Sequence, residues 1–492
     1  MHKMFKRIIL MLMPLAIAPV ASAQDFQKMF DDFRKSNQQE FDSFADKANR
    51  EYAEFLRKGW EWFEGKEPVS PPVQEEMAPP VVVPEEELKE EKEDKEIQYE
   101  VVPEPDPVPE PVPIEPVQEV PDPASKTVVF DLYGTRCTVR ADMDSRPFLK
   151  GGHEEGLAGL WEEFCAYEGL DNLLFDLYGY RESLNLCDWA YYKCVREFSR
   201  TLYPENPSEC GLMQAFILTQ SGFALRLGIG SDGRVYPLMA AECALYHYPY
   251  YEIQGREFYV LEDTDDKDMR IMTVSFPAPT HPMRISLEHE NMFAENISQT
   301  RTLTSERYPE MKATVSSNLN LISFFDEYPL AFVNNDLRTR WRFYANVPIS
   351  THVRKSVYPE FRRLLTGLDE LSAVNVLLNF VQTAFVYEYD DKVWGTDRSF
   401  FADECFYYPY CDCEDRSVLF SRLVRDLLGL DVVLIYYPGH LATAVKFSSE
   451  VSGDYITYDG ARYTICDPTY INAPVGMTMP DMDNATAFVV VL

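Results

Sequence analysis

The chain has 492 residues, 46% of them apolar and 14% aromatic, enough for more than one packed domain. Its formal charge of −34 excludes a nucleic-acid binder, because phosphates would be repelled. Ten cysteines in a chain of this length are too few for a disulfide scaffold.

Residues 1–23 read as an export signal. Lys3, Lys6 and Arg7 give a basic start, Ile8 to Val20 an apolar stretch, and Ala21-Ser22-Ala23 a small-residue cleavage site. Cleavage after Ala23 would leave a periplasmic or secreted protein with no stable transmembrane span. No cysteine lies near residue 24, so a lipid anchor is not expected. In an oxidising compartment thiols tend to pair, and Cys405 with Cys411 is the local candidate pair.

Residues 24–65 follow with helical periodicity. Phe26, Phe30, Phe33, Phe41, Phe44, Ala48, Tyr52 and Phe55 recur at helical spacing, ended by Gly65 and Pro68. Two uses are open, a helix that docks an envelope partner or a second copy, and a helix that covers this chain's own core. The separation of this helix from the rest by a long spacer favours docking.

That spacer, 66–125, holds eighteen acidic residues, four lysines and fifteen of the 34 prolines. Its composition predicts an extended, disordered linker with polyproline II character. Much of the net charge therefore belongs to the linker rather than to a substrate site.

Globular character begins at Lys126. Residues 126–268 read as an α+β domain, with strands at Thr127–Leu132 and Cys137–Arg140 and helical spacing over 154–201. Residues 269–355 read as β-rich, from runs such as Ile271–Phe276, Met283–Glu288 and Trp341–Val347. Residues 356–492 run helix, helix, then strands. A weak internal repeat links two of these parts. Leu212–Gly222 and the strand after it resemble Leu419–Gly429 and its strand. Gly255–Glu262 resembles Gly460–Asp467. The alignments put Asn206 opposite Cys413, Glu262 opposite Asp467 and no histidine opposite His440, as in a degenerate copy. Chance similarity of helix–turn–strand segments is the competing account.

The chemistry concentrates in the last part. Cys413 opens an amphipathic helix closed by Gly429, with Asp412 as its N-cap candidate. The helix N-terminus favours a thiolate, while Asp412, Glu414 and Asp415 oppose one by like charge, so the thiol needs a base. His440 is the only histidine after residue 352, and it opens an apolar strand. By alternation it shares a face with Ala442 and Ala444, whose small size would let the cysteine helix come close. Asp467 ends a further strand and could orient the imidazole, while Cys466 faces away as a core thiol. A zinc site is the rival for these cysteines, but Cys411-x-Cys413 does not have the spacing of a zinc-binding pair.

Tyr410-Cys411-Asp412-Cys413-Glu414-Asp415, Pro438-Gly439-His440 and Cys466-Asp467-Pro468-Thr469-Tyr470, in this order, resemble the transglutaminase-like superfamily of papain-like thiol enzymes. The resemblance covers about 356–492. It implies an α+β core with the cysteine helix packed on an antiparallel sheet, with Cys413 as nucleophile, His440 as general base and acid, and Asp467 as orienting carboxylate. It also implies an upstream oxyanion donor, for which Gln382 is the first candidate and Trp394 the second. Cys411 stands where the family often has glycine, which makes it a candidate to cap the thiol by a disulfide. Tyr407, Tyr408, Tyr410 and Tyr437 are candidates for a peptide cleft or, equally, ordinary core and rim aromatics. The expected activity is thiol-dependent acyl transfer on peptide or protein amides, as a cysteine peptidase or transglutaminase, with no cofactor and no metal. The alternative is an inert envelope scaffold or protein-binding module on the same fold.

Overall fold

The computed structural model describes residues 44–70, 78–84, 88, 93–120, 126–264, 266–480, 482 and 487–492. The export signal and the start of the first helical segment lie outside the described residues. No helix among the described residues is long and apolar enough to cross a membrane.

The architecture is α+β, with two sheets of antiparallel core strands. Residues 44–56 are helical and bury Ala45, Ala48, Tyr52, Ala53 and Leu56. Tyr52 packs against Trp161, with ring centroids 4.8 Å apart. This part of the expected docking helix therefore covers the chain's own core. Strand β1 (Trp60–Glu64) follows, then β2 (Lys95–Glu96), β3 (Tyr99–Val101) and the hairpin β4 (Thr127–Leu132) and β5 (Thr135–Arg140). Tyr133 and Gly134, both at positive φ, make the two-residue turn that such a hairpin requires.

Helices His153–Cys165, Leu170–Ser183, Asp188–Leu202 and Pro207–Gln220 come next. Strands β6 (Leu225–Ile229), β7 (Val235–Ala240), β8 (Ala244–Leu245), β9 (Tyr250–Ile253), β10 (Arg256–Val260) and β11 (Asp268–Met272) follow. The first large sheet has the order β1-β11-β6-β7-β10-β9.

Residues 269–355 are less β-rich than their sequence predicts. They hold the end of β11, then β12 (Arg301–Thr304), β13 (Lys312–Val315) and β14 (Ala331–Phe332), and helices Leu319–Asp326 and Thr351–Leu365. Met283–Glu288 forms no strand, and Met283 makes only an isolated bridge to Ala241. Trp341–Val347 is likewise no strand, since Arg340–Ala345 is helical. The neighbours Arg340 and Trp341 both reach Glu414, at 3.3 and 2.7 Å. Successive side chains of a strand point to opposite faces and could not share that partner.

The C-terminal unit contains Glu370–Thr383, β15 (Val386–Tyr387), β16 (Tyr410–Cys411) and the cysteine helix Cys413–Leu428. Strands β17 (Val432–Tyr437), β18 (His440–Val445), β19 (Asp454–Tyr458), β20 (Ala461–Cys466) and β21 (Ala487–Val491) complete it. Its sheet has the order β2-β19-β20-β18-β17-β21-β3. The core of this order repeats the first sheet. In both units a helix leads into five strands of the sheet, β8 being set aside because it pairs with β14, and the fifth, first, second, fourth and third lie side by side, each pair antiparallel.

The proline- and glutamate-rich segment differs from the free spacer expected of it. Strand β2 pairs with β19, and β3 pairs with β21, at opposite edges of the same sheet. Only Ile97 and Gln98 separate β2 from β3, so the two edges are drawn together and the sheet curls closed. Ile97 sits inside with Ile435, Ala442, Ala444, Ile465 and Val489. The acidic residues also find partners, with Asp94 on Arg462 at 2.9 Å and Glu110 on Arg181 at 3.2 Å. Composition counts such charges without the arginines that meet them.

Candidate active site

The cysteine helix starts where the sequence dictates. Asp412 accepts the amide of Glu414 at 3.1 Å, and the Asp415 carboxylate returns to the amide of Asp412 at 3.2 Å. This reciprocal cap fixes Cys413 as the first helical residue. Gly429, at φ +69°, ends the helix in the left-handed conformation. Val418, Leu419, Phe420, Leu423 and Val424 are buried along it. Ser417 ties the helix to the sheet, its hydroxyl donating to the Leu441 carbonyl at 2.8 Å.

The helix rests on the sheet face that presents Leu434, Leu441, Val445 and Cys466. Ala442 and Ala444 point into the closed interior instead. Close approach of the helix therefore does not depend on those alanines, contrary to the expectation from alternation. Cys466 is a buried thiol on the helix side of the sheet.

His440 opens β18 and Asp467 directly follows β20, so adjacent strands bring them to one end of the sheet. His440 Nε2 and Asp467 Oδ2 are 2.8 Å apart, and both residues are buried. Asp467 Oδ1 accepts the amides of Thr469 at 2.8 Å and Tyr470 at 3.1 Å. Tyr437 stacks on the imidazole, with ring centroids 6.4 Å apart and planes at 14°.

Cys413 is fully buried beside this pair, with the backbone amide of Leu441, the residue after His440, favouring its thiolate. His440 Nδ1 has no hydrogen-bond partner. The imidazole–carboxylate link is thus made, and the thiol–imidazole link is not. Burial pushes the Cys413 thiol well above its ordinary pKa, and the charges of Asp412 and Glu414 add to this. The Leu441 amide works in the other direction. In this closed arrangement the sulfur rests as a neutral thiol.

The oxyanion candidates need correction. Gln382 Nε2 donates to the carbonyls of Asp467, Tyr470 and Ala473 at 3.0, 2.8 and 3.0 Å, and its Oε1 accepts the Asn472 amide at 3.1 Å. Its amide is spent on bracing the turn after Asp467 and has no donor to offer. Trp394 packs with Phe400, Tyr408 and the Arg398 guanidinium. Tyr408 joins that group and donates to Asp326 at 2.8 Å, Tyr407 meets Tyr408 edge-on, and Tyr410 is exposed. Of the four tyrosines, Tyr437 alone contacts a member of the Cys-His-Asp set.

Sequence reasoning missed Tyr387. Its buried hydroxyl has no hydrogen-bond partner; burial raises its pKa, and negative charge on Cys413 or Asp412 would raise it further. The Arg416 guanidinium lies 5.2 Å from the centre of its ring. The available signal was its position upstream of the cysteine, in Phe385-Val386-Tyr387.

All ten cysteines are free, so neither Cys405 with Cys411 nor Cys411 with Cys413 is bridged. Among the described residues no group containing cysteine or histidine gathers at metal-ligand distances. Two carboxylate groups do, Asp390 with Asp397 and Glu414, and Asp412 with Glu414 and Asp415. They would suit a hard, oxygen-seeking cation rather than zinc. Burial and the Glu414 charge push Asp390 up to about 8 and Asp397 up to about 6. Arg340 offsets part of this, at 2.8 Å from Asp397 and 3.3 Å from Glu414.

The first unit carries a different polar pair at the matching place. Its helix Pro207–Gln220 starts after Asn206, and β7 starts after Arg234. Glu262, just past β10, is buried and pairs with Arg200 at 2.6 Å and Arg234 at 3.7 Å. No protein-family model matches the sequence, and no curated protein matches it.

Proposed function

We propose that this chain is a transglutaminase-like thiol enzyme, exported to the periplasm or beyond, that transfers acyl groups from peptide or protein amides. The observation that carries the reading is the buried His440–Asp467 pair, 2.8 Å apart, beside a cysteine at a helix N-terminus. Asp467 holds the imidazole through Nε2, which leaves Nδ1 to take a proton. The thiol turns from the Leu441 amide to Nδ1 and gives up its proton there. The thiolate attacks the amide carbon, forming the carbon–sulfur bond and an oxyanion. Asp412 already occupies the amides of Glu414 and Asp415, so the Cys413 amide and the Tyr387 hydroxyl are the donors left for that oxyanion. The carbon–nitrogen bond breaks as His440 protonates the leaving amine. Water then releases an acid, or a second amine takes the acyl group.

An inert scaffold is the second reading, and one observation favours it. The thiol is buried, neutral and not bonded to the imidazole. Incubation with a peptide library and a labelled amine, read by mass, separates the two. Cleaved peptides or amine adducts that vanish in Cys413→Ala support the enzyme, with a loss on the order of 10⁴-fold or more. No product from the wild type, or equal product from the variant, removes it.

A further inference from the structure

Residues 78–84, Ala78-Pro79-Pro80-Val81-Val82-Val83-Pro84, cross the end of the sheet where His440 and Asp467 sit. The Ala78 amide donates to the Gly439 carbonyl at 3.0 Å, one residue before His440. The Ile471 amide donates to the Val81 carbonyl at 2.7 Å, and the Val83 amide donates to the Ile471 carbonyl at 3.0 Å. Val82 and Ile471 form a parallel bridge. The segment is therefore held by main-chain bonds to the two turns that carry His440 and Asp467.

Its side chains follow the strand pattern. Val83 is buried with Tyr470, Ala473 and Met479, and Val81 packs on the same cluster, whereas Val82 is 61% exposed. The receiving turn is rigid, because Gln382 pins three of its carbonyls and Asp467 two of its amides. Main-chain pairing combined with pockets for alternate side chains is how proteins bind extended peptides of many sequences.

We propose that the groove between the turns at 437–440 and 467–473 is a binding site for extended peptides with β-branched residues at alternate positions, and that residues 78–84 fill it in cis. The groove stands on its own geometry, and calling its ligand a substrate rests on the thiol-enzyme reading above. The strap is anchored on its C-terminal side, since β2 and β3 hold residues 95–101 to the sheet. A displaced strap stays close and returns at high effective concentration. A competing peptide gains access only when the strap leaves.

The test uses the full chain with both inward-facing strap positions charged, Val81→Asp with Val83→Asp. Val82→Asp, at the exposed position, is the matched control. Alkylation of Cys413 by iodoacetamide should rise roughly tenfold or more in the double variant, the scale set by loss of one buried and one half-buried valine, and stay at the wild-type rate in the control. A labelled Ala-Pro-Pro-Val-Val-Val-Pro peptide should bind the double variant, slow its alkylation and leave the wild type unlabelled. Where the double variant does not fold, Val83→Ala gives the same comparison at smaller amplitude. Unchanged alkylation, equal effects at positions 82 and 83, or no peptide binding would overturn the proposal. Faster alkylation with peptide protection but no cleavage or amine transfer would retain the groove and remove only the enzyme reading.

Discussion

The two α+β units share one path of helix and strands and carry different residues where the helix begins and where the polar pair sits. In the C-terminal unit the helix begins with Cys413, and the polar pair is His440 with Asp467. In the first unit the helix begins with Pro207, and the pair is Arg234 with Glu262 at 3.7 Å. An arginine keeps its proton under all ordinary conditions, so this second pair is a fixed ion pair and cannot act as a base. An imidazole in the same place has a nitrogen that can take a proton and hand it on. The fold supplies the placement, and a few residue choices decide whether chemistry is available there.

The comparison is sharpest at the two carboxylates. Asp467→Asn should lower kcat/KM by about 10²- to 10⁴-fold, because the amide no longer holds the imidazole as the carboxylate does. Glu262→Gln should leave that rate within about twofold, since the pair it belongs to performs no transfer. Matched kinetics on the two variants decide this, and an equal loss from both would break the distinction between the units.

Gln382→Leu should cost about 3 kcal/mol in urea unfolding, because three carbonyls and one amide of the turn after Asp467 lose their partner. Activity should fall with it, as Asp467 is released from that turn. A variant with full stability would show that the brace is unnecessary.

Buried carboxyls in both units give a pH test. Burial raises Asp188, in the first unit, to about 6, and raises Glu404, in the second, to about 7. A carboxyl whose folded pKa is raised binds its proton more tightly in the folded state. Its contribution is fully present below the unfolded pKa and is lost as pH rises through the folded one. Stability should therefore decline from about pH 4 to 6 through Asp188 and from about pH 4.5 to 7 through Glu404. The Glu404 share is on the order of 3 kcal/mol. Urea midpoints across this range should flatten in the upper window for Glu404→Gln and in the lower window for Asp188→Asn.

The smallest expected effect is at Tyr387. Tyr387→Phe should lower kcat about tenfold with KM nearly constant, as for a donor that meets the oxyanion but not the bound amide. An unchanged kcat would assign oxyanion binding to the Cys413 amide alone.

The Cys-His-Asp set was legible because each residue is marked locally. Cys413 follows a capping aspartate and precedes an amphipathic run, His440 is the sole downstream imidazole, and Asp467 ends a strand. The hairpin β4–β5 and the repeat were legible for the same reason. Gln382 was misread because helical spacing places a residue on a face and cannot say which carbonyls its amide will meet. Trp341–Val347 looked strand-like by side-chain type, yet Glu414, far along the chain, draws Arg340 and Trp341 to one side. The acidic segment was misread most, because its partners are arginines and strand edges hundreds of residues away.

That last feature governs how the protein can be made. The Gly453 amide donates to Asp94 across 359 residues, and the Thr457 hydroxyl donates to Glu96 across 361. The strand that seals the C-terminal sheet leaves the ribosome long before the strands it seals. Until β19 and β21 emerge, β2 and β3 have nothing to join, and a fragment beginning at residue 126 would expose both bare edges to its neighbours. Contacts of such separation in sequence make folding slow, so the C-terminal unit is completed only after β21 has been made.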